Sequence, residues 1–198
     1  MGEPLATAGT IRRGFARRLR GALLVEGPVY AEVAADPSAN GQALAVVVLG
    51  CLAQLPGALR GSEITGPGFE VASTLVFSFG GWIVSAAALW LVGIRLMGGR
   101  SDFGGLVRAI GFSAAPQILY ALTAIPLGGP DFSDAFGWVL WIAVWALTSV
   151  AFFVAAREAL GMTNAKASLA VVAAGLLTLV LLAAILATFA ARLVEAIL

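Results

Sequence analysis

The sequence predicts an all-α, polytopic membrane protein, with five transmembrane helices preceded by a basic amphipathic N-terminal helix. Three observations carry that prediction. Of the 198 residues, 60% are hydrophobic and only 12% charged, where a soluble domain carries roughly 25% charged residues. A single domain of this length cannot hide so much apolar surface in its own core. Apolar runs also recur at the length a bilayer demands, about 20 residues for roughly 30 Å of hydrocarbon. Finally, the positive charges gather where alternate loops would share one side of a membrane.

The N-terminal segment, residues 1–40, reads as cytoplasmic. Ile11, Phe15, Leu19 and Ala22 fall within one face of a helix, with Arg13, Arg17 and Arg20 opposite and Arg12 and Arg18 at the flanks. Such a helix lies in a headgroup layer with its arginines over anionic lipid, each contributing about 1 kcal/mol near the surface. Arg12, Arg13, Phe15, Arg17, Arg18, Leu19 and Arg20 are therefore the candidates for contact with the membrane surface or a partner. Glu26, Pro28, Glu32 and Asp36 follow the basic run where a signal peptide would have its apolar core. Ala6 stands where a myristoylation motif wants Ser or Thr. Nucleic acid is not an expected partner, since only Phe15 interleaves the arginines.

The transmembrane domain, residues 41–198, offers spans at 42–59, 73–94, 106–127, 135–156 and 169–191. Breakers separate them: Gly66-Pro67-Gly68, Gly98-Gly99, Gly128-Gly129-Pro130 and Gly161. Arg108, at the start of the third span, is expected to snorkel to the interface. The first span is the weakest, being short and holding Gln54 and Pro56. Charge decides it. With five crossings, Arg12, Arg13, Arg17, Arg18, Arg20, Arg95, Arg100, Arg108, Arg157 and Lys166 share one side and Arg60 and Arg192 the other, ten against two. Without the first crossing the split is seven to five. Basic residues are retained in the cytoplasm, which places the N-terminus inside and the C-terminus outside, periplasmic in a bacterial inner membrane. The loop with Asp131 and Asp134 then faces outward.

Several chemistries are disfavoured. There is one cysteine, Cys51, and no histidine, so an intrachain disulfide and the commonest metal ligand are both missing. No Asp, Glu or Lys occupies the centre of a span, where ion-coupled transporters keep ionisable groups. No nucleophile elbow, phosphate loop or zinc spacing appears. The expectation is no enzyme, no catalytic residue, no cofactor and no metal.

Polar features remain inside the spans. Ser113, Gln117 and Tyr120 recur at i, i+4 and i+7 on the third span, with Pro116 removing a backbone donor and kinking the helix. These four are the candidate intramembrane groove, the alternative being ordinary interhelical hydrogen bonds. Gly81 with Ser85, and Ala183, Ala187 and Ala191, have the four-residue spacing that lets helices approach closely, within the monomer or in a homodimer. Trp138, Trp141 and Trp145 form a stripe that Thr148 and Phe152 continue. Trp138 suits an interfacial belt, and the deeper two are expected to pack.

Three places carry a family resemblance. They are Pro28-Val29-Tyr30-Ala31-Glu32 with Asp36-Pro37-Ser38; Gly99-Arg100-Ser101-Asp102-Phe103 running to Ala109-Ile110-Gly111-Phe112-Ser113-Ala114-Ala115-Pro116; and Gly161-Met162-Thr163-Asn164-Ala165-Lys166-Ala167. With the span spacing, the chain resembles bacterial members of the Yip1 family over about residues 25–190. The resemblance implies five spans and a cytoplasmic N-terminus, and it supplies no catalytic residues. Eukaryotic relatives are associated with vesicle trafficking and prenylated GTPases, a role not carried over here. The leading expectation is a non-catalytic scaffold or accessory subunit that binds a membrane-protein partner or forms a homo-oligomer. The alternative is a small-solute or lipid transporter or channel that uses the groove on the third span.

Overall fold

The structure, a computed structural model, describes residues 14–60, 66–125 and 130–197. Every regular element among the described residues is helical. The elements are α1 (Phe15–Leu23), α2 (Gly27–Ala35), a 3₁₀ turn (Pro37–Ala39), α3 (Asn40–Arg60), α4 (Pro67–Leu89), α5 (Phe103–Ser113), α6 (Pro130–Leu160) and α7 (Asn164–Ile197). A π-helical segment, Trp90–Leu96, prolongs α4, and a 3₁₀ segment, Ala115–Ala124, prolongs α5. Among the described residues, five stretches are long and apolar enough to cross a membrane: Pro37–Arg60, Pro67–Leu96, Phe103–Ala124, Ala135–Leu160 and Asn164–Leu181. Each overlaps one expected span, and the chain is a multi-pass membrane protein.

The breakers act as their chemistry requires. Gly98 and Gly161 take positive φ, 74° and 61°, which a residue without Cβ adopts freely. Each closes its helix with a reach-back bond, Gly99 N–H to Gly93 O at 2.9 Å and Met162 N–H to Arg157 O at 3.2 Å. The Arg100 N–H donates to Leu160 O at 3.1 Å and ties the two turns together. Asp102 starts α5 by accepting from the Gly105 N–H at 2.6 Å.

Two segments differ from expectation. Residues 27–35, within the N-terminal segment and outside every expected span, form α2, whose Val29, Tyr30 and Val33 are fully buried and which packs on α5 and α6. The third span is an eleven-residue α-helix followed by ten residues of 3₁₀ helix. Pro116 has no N–H for the α-bond to Phe112 O, and the chain tightens into 3₁₀ geometry far beyond the usual three or four residues.

The core is concentrated at one end. Most of what α4 (Ala86, Ala88, Leu89), α6 (Ala155, Ala156, Leu160) and α7 (Ala167, Ala170, Ala174) contribute lies towards that end, with Val144 of α6 buried farther along. Away from that end, α4, α6 and α7 expose Val76, Val139 and Val180 by about two-thirds each, and α4 and α6 touch each other little if at all. The bundle flares.

The small residues that bring helices together are not those the sequence pattern singled out. A Cβ on Gly93 would stand 2.7 Å from Leu160, and one on Gly111 would stand 3.1 Å from the Trp82 ring and 3.0 Å from Ala43. Trp82 secures that crossing by donating Nε1–H to Val107 O at 2.8 Å. Gly81 has nothing within 4 Å of an added Cβ, and Ala183 and Ala187 are exposed. The Ala191 side chain lies outside the described residues. The tryptophan stripe is largely uncovered as well: Trp138, Trp141 and Trp145 are about half exposed or more, Trp145 bordering a space between α4, α6 and α7.

Candidate functional site

The flare leaves a cavity of about 440 Å³ between α3, α4, α5 with its 3₁₀ extension, and α6. Each helix supplies uncharged polar groups. Gln54 comes from α3, Thr74, Ser78 and Ser85 from α4, Ser113 and Gln117 from the third span, and Thr148 from α6. None of the lining residues is ionisable at neutral pH. Helical spacing explains the wall on α4, where Thr74, Ser78, Gly81 and Ser85 recur at i, i+4, i+7 and i+11.

Some of these groups are satisfied within the protein. The Ser113 hydroxyl donates to Ile110 O at 2.7 Å, and the Gln54 amide reaches Gly50 O at 3.2 Å and Gln117 Oε1 at 3.4 Å. Others are not. Thr148 Oγ1 is buried with no hydrogen-bond partner, although a buried hydroxyl ordinarily finds one. An unmade bond of this kind costs about 1–3 kcal/mol.

Of the expected groove residues, Ser113 and Gln117 line the cavity. Pro116 is fully buried behind it. Tyr120 points away, its hydroxyl donating to Trp141 O at 3.4 Å. The reason is the change to 3₁₀ geometry at Ala115, which advances side chains by 120° per residue in place of 100° and takes Tyr120 off the stripe that a continuous α-helix would have given. Gln54, Thr148 and the α4 hydroxyls were not foreseen as one site. The signal was present in the i, i+4, i+7, i+11 run on the second span.

A second polar centre sits where α1 and α2 meet the bundle. Arg18 is 2% exposed. Its Nε and Nη2 donate to Glu32 Oε1 at 3.0 and 2.8 Å, Nη2 also to Asp36 at 2.7 Å, and Nη1 to Gln42 Oε1 at 3.0 Å. Burial by itself lowers the Arg18 pKa, and the bonds to Asp36 and Glu32 outweigh it, leaving the guanidinium above its ordinary value. Arg108 is 5% exposed and donates to Val33 O at 3.0 Å, to Ala34 O and to Asn40 Oδ1 at 3.1 Å. It therefore does not snorkel. It neutralises the carbonyl end of α2, where the helix dipole favours a cation.

Arg18 is thus an internal tie and not a surface residue. The apolar face of α1 turns inward too, with Phe15 and Leu19 packed on the core. Arg17 and Arg20 are exposed. Ile11, Arg12 and Arg13 lie outside the described residues.

These ties account for the sequence elements that carry the family resemblance. Tyr30 donates its hydroxyl to Ala22 O at 2.9 Å, Asp36 turns the chain by accepting from the Ser38 N–H and hydroxyl, Asp102 caps α5, and Gly111 seats Trp82. The sequence matches the family model for the Yip1 domain over residues 21–185. The chain belongs to the Yip1 family. No curated protein and no solved structure matches it. The Yip1 domain runs from the end of α1 into α7 and includes all five spanning stretches. Arg18 precedes it and yet is bonded to Glu32, Asp36 and Gln42 within it, so α1 is anchored to the domain.

Proposed function

We propose that this Yip1-family protein is a non-catalytic binding protein that holds a ligand inside the membrane, in the cavity between α3, α4, α5 and α6. The observation that carries the reading is the buried Thr148 hydroxyl, left without a partner on the wall of a neutral polar cavity. A lipid-facing void needs no hydroxyls, and a packed core seldom leaves one unpaired. The N-terminus is cytoplasmic and the membrane is the bacterial inner membrane in this reading, on the ten-to-two distribution of basic residues.

Thr148→Val tests it. Removing a hydroxyl that bonds to nothing costs no stability, and replacement of an unpaired buried group is neutral to stabilising. A binding role predicts unchanged or raised thermal stability together with loss of whatever co-purifies from native membranes in mild detergent. Equal ligand content in the variant and the parent would remove the cavity from consideration. Gln117→Leu should lose the ligand too, at a stability cost of about 0.6 kcal/mol for the bond from Gln54.

A scaffold or accessory-subunit role with a membrane-protein partner or a second copy is the second reading. It is favoured by exposed Arg17 and Arg20 on α1 and by the largely uncovered stripe of Trp138, Trp141 and Trp145. Stoichiometric recovery of a protein partner, lost in Arg17→Glu with Arg20→Glu, would support it.

A further inference from the structure

The polar cavity has a neighbour. A second cavity, of about 410 Å³, lies between α4, α6 and α7. The two share Ser85 of α4 and Phe152 of α6, helices that make little contact with each other. The two cavities therefore lie side by side, with Ser85 and Phe152 at their common border.

The two cavities differ chemically. In the second cavity the hydroxyls other than the shared Ser85 are already used: Ser149 donates to Trp145 O at 2.9 Å and Thr178 to Ala174 O at 2.9 Å. Both are bonds to a carbonyl four residues back in the same helix, which hide the polar atom against the backbone. What remains is a wall of Trp145, Phe152, Ala174, Gly175 and Leu179. The first cavity keeps the unpaired Thr148 hydroxyl and the amide of Gln117. One half asks for hydrogen-bonding groups and the other for hydrocarbon.

We infer that the two cavities act as one slot that binds an uncharged amphiphile of the acylglycerol class, its hydroxyl and ester head in the first cavity and an acyl chain passing Ser85 and Phe152 into the second. This rests on the binding role proposed above and names its ligand. Charge selects the class. No Arg or Lys lines either cavity to meet a phosphate, and no Asp or Glu to meet an ammonium. An ionised head taken out of water without a partner is strongly disfavoured, whereas hydroxyl and ester oxygens match Thr148 and Gln117. Volumes of about 440 and 410 Å³ each suit part of such a molecule, within the usual range for ligand sites.

Two glycines provide the test. An added Cβ meets nothing within 4 Å at Gly81, on the wall of the first cavity, or at Gly175, on the wall of the second. Gly81→Phe and Gly175→Phe therefore fill one half each without a backbone clash. The full chain in detergent is titrated with dioleoylglycerol, dioleoylphosphatidylglycerol and dioleoylphosphatidylcholine, and bound lipid is counted by native mass spectrometry. Dioleoylglycerol should bind the parent at least roughly tenfold more tightly than either phospholipid, and each filling substitution should abolish that preference. If a phospholipid binds as well, and Gly81→Phe removes it, the uncharged class is wrong while the binding role stands. If Gly81→Phe loses binding and Gly175→Phe does not, the ligand does not extend into the second cavity. If no lipid depends on either glycine, both the slot and the binding role fall. Circular dichroism and thermal melting of each variant confirm that it is folded.

Discussion

Replacing Arg18 with methionine separates an internal tie from a membrane-surface charge. The side chain has four contacts of 2.7–3.0 Å with Glu32, Asp36 and Gln42 and is 2% exposed. Breaking a buried charge pair from one side costs roughly 3–5 kcal/mol, because the partner is left charged and out of water. Two features reduce the cost. The Glu32 side chain is 27% exposed and can rehydrate, and Asp36 keeps its Ser38 donors. We expect Arg18→Met to destabilise the protein by about 3 kcal/mol, the lower end of that range. Arg17→Met, one residue away and exposed, should change stability by less than about 0.5 kcal/mol. The assay is reversible unfolding in mixed micelles, followed by circular dichroism, alongside flotation with anionic vesicles. The reasoning is refuted if Arg18→Met matches Arg17→Met in stability, or if Arg18→Met alone weakens vesicle binding while the fold is unaffected. A cycle with Asp36→Asn should return a coupling of at least about 1 kcal/mol.

Arg108→Leu leaves the Val33 and Ala34 carbonyls at the end of α2 without their donor, and about 2–3 kcal/mol of stability should go with it, read in the same unfolding assay. Gly111→Leu forces a side chain against Ala43 and Trp82, an overpacking that costs about 1–3 kcal/mol and should show as a lowered melting temperature. Burial pushes the Tyr30 hydroxyl pKa up, whereas an unfolded tyrosine ionises near pH 10. Its contribution is therefore complete below about pH 10 and is lost as the pH rises above it. Tyr30→Phe should lose about 1 kcal/mol at neutral pH with the bond to Ala22 O and show a weaker loss of stability above pH 10.

The spans were legible because bilayer thickness fixes their length and because Gly66 starts a helix and Gly98 and Gly161 end helices in space where the sequence breaks them. The groove was half legible. Ser113 and Gln117 are polar at helical spacing and line the cavity, while Tyr120 was misplaced because one residue, Pro116, changes the helical pitch after it. Arg18 and Arg108 were misread for a different reason. In sequence an arginine beside a span looks the same whether it reaches for lipid headgroups or for Asp36 and the end of α2, and only the fold of residues 27–35 brings those partners within 3 Å. Gly81 and Ser85 carry the same lesson. Small residues at four-residue spacing permit contact without requiring it, and here they border a gap, since nothing in the sequence of α4 says how far α6 leans away.

The binding role is tested most directly by one paired measurement on Gly81→Phe and the parent chain, each purified from native membranes. Bound small molecules are extracted and quantified by mass spectrometry, and the melting temperature is read on the same samples. A ligand held between α4 and α6 predicts a defined molecule in the parent, its absence in the variant, and a variant that melts no lower than the ligand-free parent. The same small-molecule content in both proteins would mean that the cavity holds nothing of consequence, and the polar wall of α4 would be left without a function.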